Sequence, residues 1–328
     1  MASAAQMVAL LRSHADGDDE HFYAVALQVA AQEAKQGHER LASEIKQLVD
    51  EAKLTRARRT VVPLNKHTGE LANLLTVSYP SSRLGDIVLG ARLADQLKRV
   101  IKEHRNAGRI LEHGLSPRRK LMLVGPPGTG KTFSASVLAG ELGLPLFVVR
   151  LDGLLTKYMG ETAVKLRQIF DATDRTRGVY FFDEFDAIGS ERGLSNDVGE
   201  VRRILNSFLQ MIDHDPSNSL IMAATNHPEI LDRALYRRFD DVLSYDLPDA
   251  DQASELLRDR LCGYASESFG WRNFGANSVG LSFADIARVA EEVIKDALID
   301  GQDRISEERL GQAILERHDA VERLKRFK

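Results

Sequence analysis

The eight residues at 125–132 constrain this chain more than any other segment, because their pattern requires a particular local fold. They read G-P-P-G-T-G-K-T and match G-x-x-x-x-G-K-[ST], whose glycines let backbone N–H groups close around phosphate oxygens. An apolar run at 120–124 precedes them, and a helix-like stretch from Phe133 to Leu142 follows. This order predicts a strand, a phosphate loop and a helix N-terminus, which favours anions. A glycine-rich turn is the alternative, but it does not account for the flanking elements.

Two side chains of this loop have the chemistry to act on a nucleotide. We expect Lys131 to reach the β- and γ-phosphates and Thr132 to supply a hydroxyl to Mg²⁺. The predicted nucleotide-binding residues here are Gly125, Pro126, Pro127, Gly128, Thr129, Gly130, Lys131, Thr132 and Phe133.

Composition narrows the class of protein. The 328 residues are 43% hydrophobic, which is enough for real cores, and the net charge of −4 gives no overall basic field to attract nucleic acid. Cys262 is the single cysteine, so no intramolecular disulfide can form. The N-terminal residues lack the basic segment of a signal peptide, and no apolar run reaches membrane-spanning length. We therefore expect a cytoplasmic protein without membrane insertion.

Apolar periodicity divides the chain into segments. The middle alternates apolar runs with helical patterns, which is typical of a parallel sheet buried on both faces. The predicted fold is α/β, a P-loop NTPase with a parallel five-stranded sheet, a small helical domain before it and an all-α lid after it. The predicted strands are 121–124, 145–151, 179–182, 220–224 and 242–247. The predicted segments are 1–55 (helical adaptor or oligomerisation domain), 56–82 (linker with one short strand at 71–77), 83–247 (α/β core), 248–318 (helical lid) and 319–328 (basic tail).

Two carboxylates, Asp183 and Glu184, directly follow the apolar run at 179–182. This order places them at the carboxyl end of a buried strand, where doubly wound sheets bind ligands. Asp183 is expected to hold Mg²⁺ with Thr132, and Glu184 to polarise the attacking water. An exposed acidic turn is the alternative, and the upstream phosphate loop disfavours it.

Polar residues after the fourth predicted strand suggest further parts of the site. If that strand neighbours the first, Asn226 lies beside the γ-phosphate and helps to orient water; a turn-capping asparagine is the alternative. Arg237 and Arg238 follow in the segment 231–240. An arginine offered to a neighbouring subunit's γ-phosphate stabilises transition-state charge. A surface salt-bridge pair is the alternative for the two arginines.

The chain resembles the AAA family within the AAA+ ATPases. The resemblance rests on the order of four features: the phosphate loop, the two carboxylates, Asn226 and the 231–240 segment. The likeness extends over about residues 84–318. It implies ATP and Mg²⁺ as cofactors, assembly into six-membered rings and ATP-driven work on protein substrates. It also implies that Asp86, Ile87 and Val88 pack on adenine, and that Ala284 begins the lid helix closing the other side.

One loop makes the family resemblance more specific. Lys157, Tyr158, Met159 and Gly160 are similar to the pore loop of katanin- and spastin-like members, where a flat aromatic side chain contacts substrate without reading its sequence. A core tyrosine at a helix start is the alternative for Tyr158. No H-E-x-x-H motif is present, so a metalloprotease of that type is not expected in this chain.

Three functions follow from these features. The favoured one is a protein-remodelling or unfolding motor, a homo-oligomeric ring that threads polypeptide through a central pore. Its partner would be a protein substrate, a protein complex or a separate protease. The alternatives are a nucleotide-dependent scaffold or switch, and a nucleic-acid-acting AAA+ loader, which the lack of a basic excess disfavours.

Overall fold

The protein is described from a computed structural model. It describes residues 71–150, 154, 161–186, 198–231, 233–266 and 269–326, with scattered positions between 25 and 49. The chain divides into two compact units, Met1–Pro63 and Leu64–Lys328. In the first unit, positions 25–26, 28–31, 42–43 and 49 are helical. The N-terminal helical domain otherwise stays a prediction.

The second unit is built on a six-stranded mixed sheet in the order β1-β3-β4-β5-β2-β6. Its strands are β1 Leu75–Ser78, β2 Lys120–Val124, β3 Leu146–Val149, β4 Val179–Phe182, β5 Leu220–Thr225 and β6 Asp241–Ser244. Five strands are parallel, but β1 pairs antiparallel with β3 at one edge. The prediction of a five-stranded parallel sheet was therefore wrong, because the linker supplies an edge strand.

The short linker strand begins later than its apolar residues suggest. Leu71–Leu74 forms one helical turn (α1), and the chain becomes extended at Leu75, opposite Val149. Leu74 and Leu75 are both buried. Pairing with β3 thus decides where the strand begins, since the apolar residues span both elements.

The middle strands are buried on both faces, as their continuous apolar runs indicate. Every residue of β4 and β5 is buried. One face packs on an aromatic cluster in which Phe208 contacts the rings of Phe170, Phe182 and Phe185, with centroids 4.7–5.7 Å apart. The other face packs against buried leucines, valines and alanines of the flanking helices. Helices on both faces hold the carboxyl edge of the sheet as a fixed platform.

Ten further helices complete the described fold, besides two short 3₁₀ turns at Leu84–Asp86 and Pro228–Ile230. They are α2 Ala91–Arg105, α3 Ala107–Glu112, α4 Lys131–Leu142, α5 Glu161–Arg175, α6 Val198–His214, α7 Arg233–Tyr236, α8 Ala250–Arg260, α9 Trp271–Asn277, α10 Phe283–Ile299 and α11 Glu307–Lys325.

Helices α8 to α11 form a bundle with its own apolar core, here called the C-terminal bundle. Two of its features differ from the sequence expectation. Glycines at 263, 270 and 275 predict a longer loop within the lid, but Trp271–Asn277 forms the helix α9. The helix α11 continues to Lys325, through most of the predicted tail. In α9, Phe274 packs into the bundle core, and this burial stabilises a helix that Gly275 disfavours locally.

Candidate functional site

The phosphate loop joins β2 to α4, and three of its glycines have positive φ, Gly125 among them at +150°. Gly128 has φ +75° and Gly130 has φ +96°, a region that side chains other than glycine rarely adopt. Lys131 Nζ donates to the carbonyl oxygens of Gly125 and Pro126, each at 2.7 Å. Burial lowers the pKa of Lys131, and the nearby Asp183 and Asp186 carboxylates partly oppose this shift. The lysine is therefore held at the mouth of the loop, above the first turn of α4.

Asp183 and Thr132 meet across the carboxyl edge of the sheet. The Thr132 hydroxyl donates to Asp183 Oδ2 at 2.7 Å, which links the first turn of α4 to the tip of β4. The other oxygen, Oδ1, accepts the backbone N–H of Glu184 at 2.9 Å. A hydroxyl and a carboxylate are hard oxygen donors, and Mg²⁺ commonly takes only one or two protein ligands together with substrate phosphates. The pair therefore fits Mg²⁺.

Glu184 stands in an unusual backbone conformation. Its φ is +49°, and it is the one non-glycine residue with positive φ among the described positions. The next residue, Phe185, is buried and donates its N–H to the carbonyl of Ala224 on β5 at 2.8 Å. This anchoring holds the turn in place, and the Glu184 side chain is exposed in the cavity described below. Backbone strain of this kind concentrates at functional sites.

Asn226 lies beside the phosphate loop because β5 is the direct neighbour of β2. Gly125 donates its N–H to the carbonyl of Thr225 at 3.3 Å. A residue that the sequence reading had not singled out, Asp186, holds this corner. It accepts from the Thr225 hydroxyl at 3.1 Å and from the Asn226 N–H at 3.4 Å.

A cavity of about 420 Å³ lies over the phosphate loop, between the sheet edge and the C-terminal bundle. Most of the predicted nucleotide-binding residues line it, but Gly125 and Pro126 do not. The predicted residues that do are Asp86, Ile87, Val88, Pro127, Gly128, Thr129, Gly130, Lys131, Thr132, Phe133, Asp183, Glu184, Asn226 and Ala284. Sequence reasoning missed four lining residues, Leu256, Arg260, Phe283 and Ala287. The spacing of Leu256 and Arg260, i and i+4 on one face of α8, was a signal that could have indicated two of them.

The first turn of α10 rests directly on the phosphate loop. Ala284 donates its N–H to the carbonyl of Gly128 at 3.0 Å. A Cβ placed on Gly128 would come within 2.5 Å of Ser282 Oγ. Gly128 is therefore required both for its backbone conformation and for this close approach.

A capping box holds that turn, and an arginine from α11 reaches it. Ser282 N and Oγ donate to Asp285 Oδ2 at 3.1 and 2.6 Å. Arg317 Nε and Nη2 donate to Asp285 Oδ1 at 2.8 and 2.5 Å. Burial alone raises the pKa of Asp285, but the hydrogen bonds from Ser282 and Arg317 outweigh it, and the pKa lies below its usual value.

The two candidate arginines lie outside the cavity of their own chain. Arg238 is paired with Asp213 of α6. Arg237 is exposed, and its side chain forms no ion pair or hydrogen bond within the part of the chain that the structure describes. The predicted pore-loop residues Lys157, Tyr158, Met159 and Gly160 lie outside the described residues. No helix in the described ranges is long and apolar enough to cross a bilayer.

This arrangement has the parts that a nucleoside triphosphate needs: a loop of amides at a helix N-terminus, a lysine, and a hydroxyl–carboxylate pair. Mg²⁺, held by Thr132 and Asp183, would neutralise phosphate charge. The fold and site define a P-loop nucleoside triphosphatase.

Comparison with known proteins identifies the family. The profile of the ATPase family associated with various cellular activities (AAA) matches residues 121–247. The chain is 37% identical over 316 residues to the uncharacterized AAA family ATPase y4kL of Sinorhizobium fredii, covering 96% of this chain and 95% of that protein. The protein belongs to the AAA family of ATPases, whose activity is ATP hydrolysis with Mg²⁺.

Other relatives are ATP-dependent zinc metalloproteases. FtsH 1 of Methylacidiphilum infernorum is 38% identical over 205 residues, which are 60% of this chain and 32% of that protein. FtsH 3 of Sphaerobacter thermophilus is 32% identical over 252 residues, 75% of this chain and 52% of that protein. The chain thus spans about a third to a half of these two relatives.

Proposed function

We propose that the protein is an ATP-driven motor that remodels or unfolds polypeptides as a ring of identical subunits, six by the resemblance to the AAA family. The observation that carries the proposal is the position of Arg237. It is exposed, it is outside the nucleotide cavity of its own chain, and it has no partner among the described residues. A site that is completed by a neighbour's arginine requires such a residue.

Within one subunit, different described residues have different roles in ATP hydrolysis. Glu184 polarises the attacking water, and Asn226 helps to orient it from the tip of the neighbouring strand. Lys131 balances the charge of the β- and γ-phosphates. Ile87, Val88 and Ala284 contact the base in this proposal, since these apolar residues line the cavity.

Of the two adjacent arginines, Arg237 is the one that we assign to the neighbouring subunit's γ-phosphate. Arg238 is already paired with Asp213, so moving it into another site would break that ion pair. Arg237 has no ion-pair or hydrogen-bond partner to lose among the described residues. An arginine supplied in trans can contribute roughly 10³–10⁵ in rate.

The residues Lys157 to Gly160 act on the substrate in this proposal. The chain leaves β3 at Val149, on the carboxyl edge that also holds the phosphate loop, and α5 begins at Glu161. A katanin- or spastin-like pore contact by Tyr158 explains work on polypeptides of varied sequence. Partners are then a protein substrate, a protein complex or a separate protease.

The ring arrangement can be tested by mixing two inactive variants. Lys131→Ala chains lack the phosphate contact but keep Arg237, whereas Arg237→Ala chains keep an intact nucleotide pocket. A mixed ring restores ATP turnover wherever a Lys131→Ala subunit presents its arginine to an Arg237→Ala pocket. The control mixture of Lys131→Ala with Glu184→Gln stays inactive, because both chains are defective in the pocket itself. If the first mixture also stays inactive although mixed oligomers form, the arginine does not act in trans.

Substrate contact needs a separate test. A photo-crosslinking residue in place of Tyr158 should link to a labelled, permanently unfolded polypeptide when ATP is present in a Glu184→Gln background. The same residue in place of Leu111, an exposed position on α3, is the control. Equal crosslinking from both positions would count against a pore contact.

A further inference from the structure

The last helix reaches the nucleotide site through a chain of short hydrogen bonds. It runs from Arg317 on α11 to Asp285, then to the first turn of α10, and from Ala284 of that turn to Gly128 of the phosphate loop. The heavy-atom distances along it are 2.8, 2.6 and 3.0 Å. Arg317 is 32 residues from Asp285 in sequence, so only packing of the C-terminal bundle brings them together.

The two oxygens of Asp285 divide between two partners. Oδ2 accepts from Ser282 and completes the cap of its own helix, while Oδ1 accepts twice from the Arg317 guanidinium. Each side chain of the ion pair is only 17% exposed. A charge-assisted pair at this burial restricts the turn more than a surface ion pair does. The cap alone would fix the turn within α10, but the arginine fixes it to α11.

We propose that Arg317 is a positioning residue that sets nucleotide affinity, because it holds the first turn of α10 against the phosphate loop. Phe283, Ala284 and Ala287 of that helix line the cavity together with Ile87 and Val88. Their distance from the phosphate loop depends on the Ala284–Gly128 hydrogen bond. The inference rests on the nucleotide site, and not on the ring or the pore loop.

This role predicts a particular kinetic signature. Loss of Arg317 loosens the wall that binds the base, while Thr132, Asp183 and Glu184 remain on the sheet edge. The KM for ATP and the Kd for a fluorescent ATP analogue therefore rise, and kcat changes little. Couplings of this kind correspond to about three- to tenfold in affinity. Arg317→Lys keeps the charge but only one donor direction, so it recovers part of the affinity.

The same two helices provide a matched control. Arg309 of α11 pairs with Asp296 of α10, with Nε and Nη2 at 2.7 and 2.6 Å from Oδ2. This bridge joins the same helices near the other end of α10, away from the phosphate loop. Arg309→Gln therefore removes an arginine–aspartate pair between the same helices, with side chains 33% and 40% exposed, and also the Arg309–Glu316 pair, without releasing the turn at Ser282.

The experiment compares Arg317→Gln, Arg317→Lys and Arg309→Gln with the unmodified chain. The expected result is a Kd raised about three- to tenfold for Arg317→Gln, an intermediate Kd for Arg317→Lys and an unchanged Kd for Arg309→Gln. An equal rise for Arg317→Gln and Arg309→Gln would mean that general loosening of the bundle is responsible, and would overturn the proposal. An unchanged Kd for Arg317→Gln would overturn it as well.

Hydrogen exchange at one backbone amide provides an independent readout. The Ala284 amide donates to Gly128, so Arg317→Gln should speed its exchange while Arg309→Gln leaves it protected. If Arg317→Gln does not fold, Arg317→Lys is used as the test variant. If Arg317→Lys matches the unmodified chain in both the exchange of the Ala284 amide and the Kd, the proposal is overturned. If the unmodified chain itself bound no nucleotide, the nucleotide site would fail, a result distinct from the failure of the Arg317 assignment.

Discussion

The hydroxyl of Thr132 lies 2.7 Å from Oδ2 of Asp183, although the two residues are 51 positions apart in the chain. Thr132 lies in the first turn of the helix after the phosphate loop, and Asp183 directly follows the strand β4. Two hard oxygen donors are thereby placed together at the mouth of the nucleotide cavity.

Removing the Thr132 hydroxyl should weaken the binding of Mg²⁺ by the protein. We expect Thr132→Ala to raise the Mg²⁺ concentration for half-maximal ATP turnover by about tenfold, because one of the two protein donors is lost. Thr132→Ser, which keeps the hydroxyl, should behave like the unmodified chain. A Mg²⁺ titration of turnover at saturating ATP measures this, and identical curves for the alanine and serine variants would contradict the assignment.

Glu184→Gln should separate binding from hydrolysis. The amide keeps the size of the side chain but cannot accept a proton from water, so turnover should fall by about 10²–10⁴-fold. The Kd for a fluorescent ATP analogue should stay within about twofold, since binding rests on the loop amides and Lys131. Glu112→Gln, at an exposed position on α3, is the control. A turnover near normal in Glu184→Gln would remove this residue from the mechanism.

Gly128→Ala should weaken nucleotide binding more than it weakens the fold. The new Cβ would sit 2.5 Å from Ser282 Oγ and 3.1 Å from Ala284 Cβ, in a backbone conformation with φ +75°. The strain of about 1–3 kcal/mol falls on the contact between the loop and α10. Gly108→Ala is a suitable control, because nothing lies within 4 Å of a Cβ there. Isothermal titration with an ATP analogue distinguishes the two, and equal affinities would argue against the close approach.

The stability contributed by Asp285 should depend on pH in one direction. Its pKa is lowered in the folded protein, so the carboxylate stabilises the fold above its ordinary pKa near 3.8 and loses this effect as pH falls below that value. The difference in unfolding free energy between the unmodified chain and Asp285→Asn should therefore be largest above about pH 5 and shrink towards pH 3. Denaturant unfolding at several pH values measures it. A constant difference would mean that the ionised form makes no special contribution.

The strongest local sequence patterns correctly predicted the strands, loop and helix that contain or adjoin them. G-x-x-x-x-G-K-T between an apolar run and a helix indicated β2, the phosphate loop and α4, because turn, anion site and helix start are coupled in a few adjacent residues. The continuous apolar run at 179–182 indicated a buried strand with Asp183 and Glu184 at its tip. The edge strand β1 was harder to anticipate in full, since an edge strand has a single pairing partner and a weaker apolar signal.

By itself, the sequence determined the α/β class, the nucleotide chemistry and most of the residues that line the cavity, because each depends on short, local patterns. Only the tertiary structure decided how distant segments meet. It brought β1 antiparallel to β3, placed Asp186 under Asn226, paired Arg238 with Asp213 while leaving Arg237 exposed, and joined Arg317 to Asp285 beside the phosphate loop. Such pairs are separated by tens of residues or more, and their meeting is fixed by packing of whole elements, which no local pattern encodes.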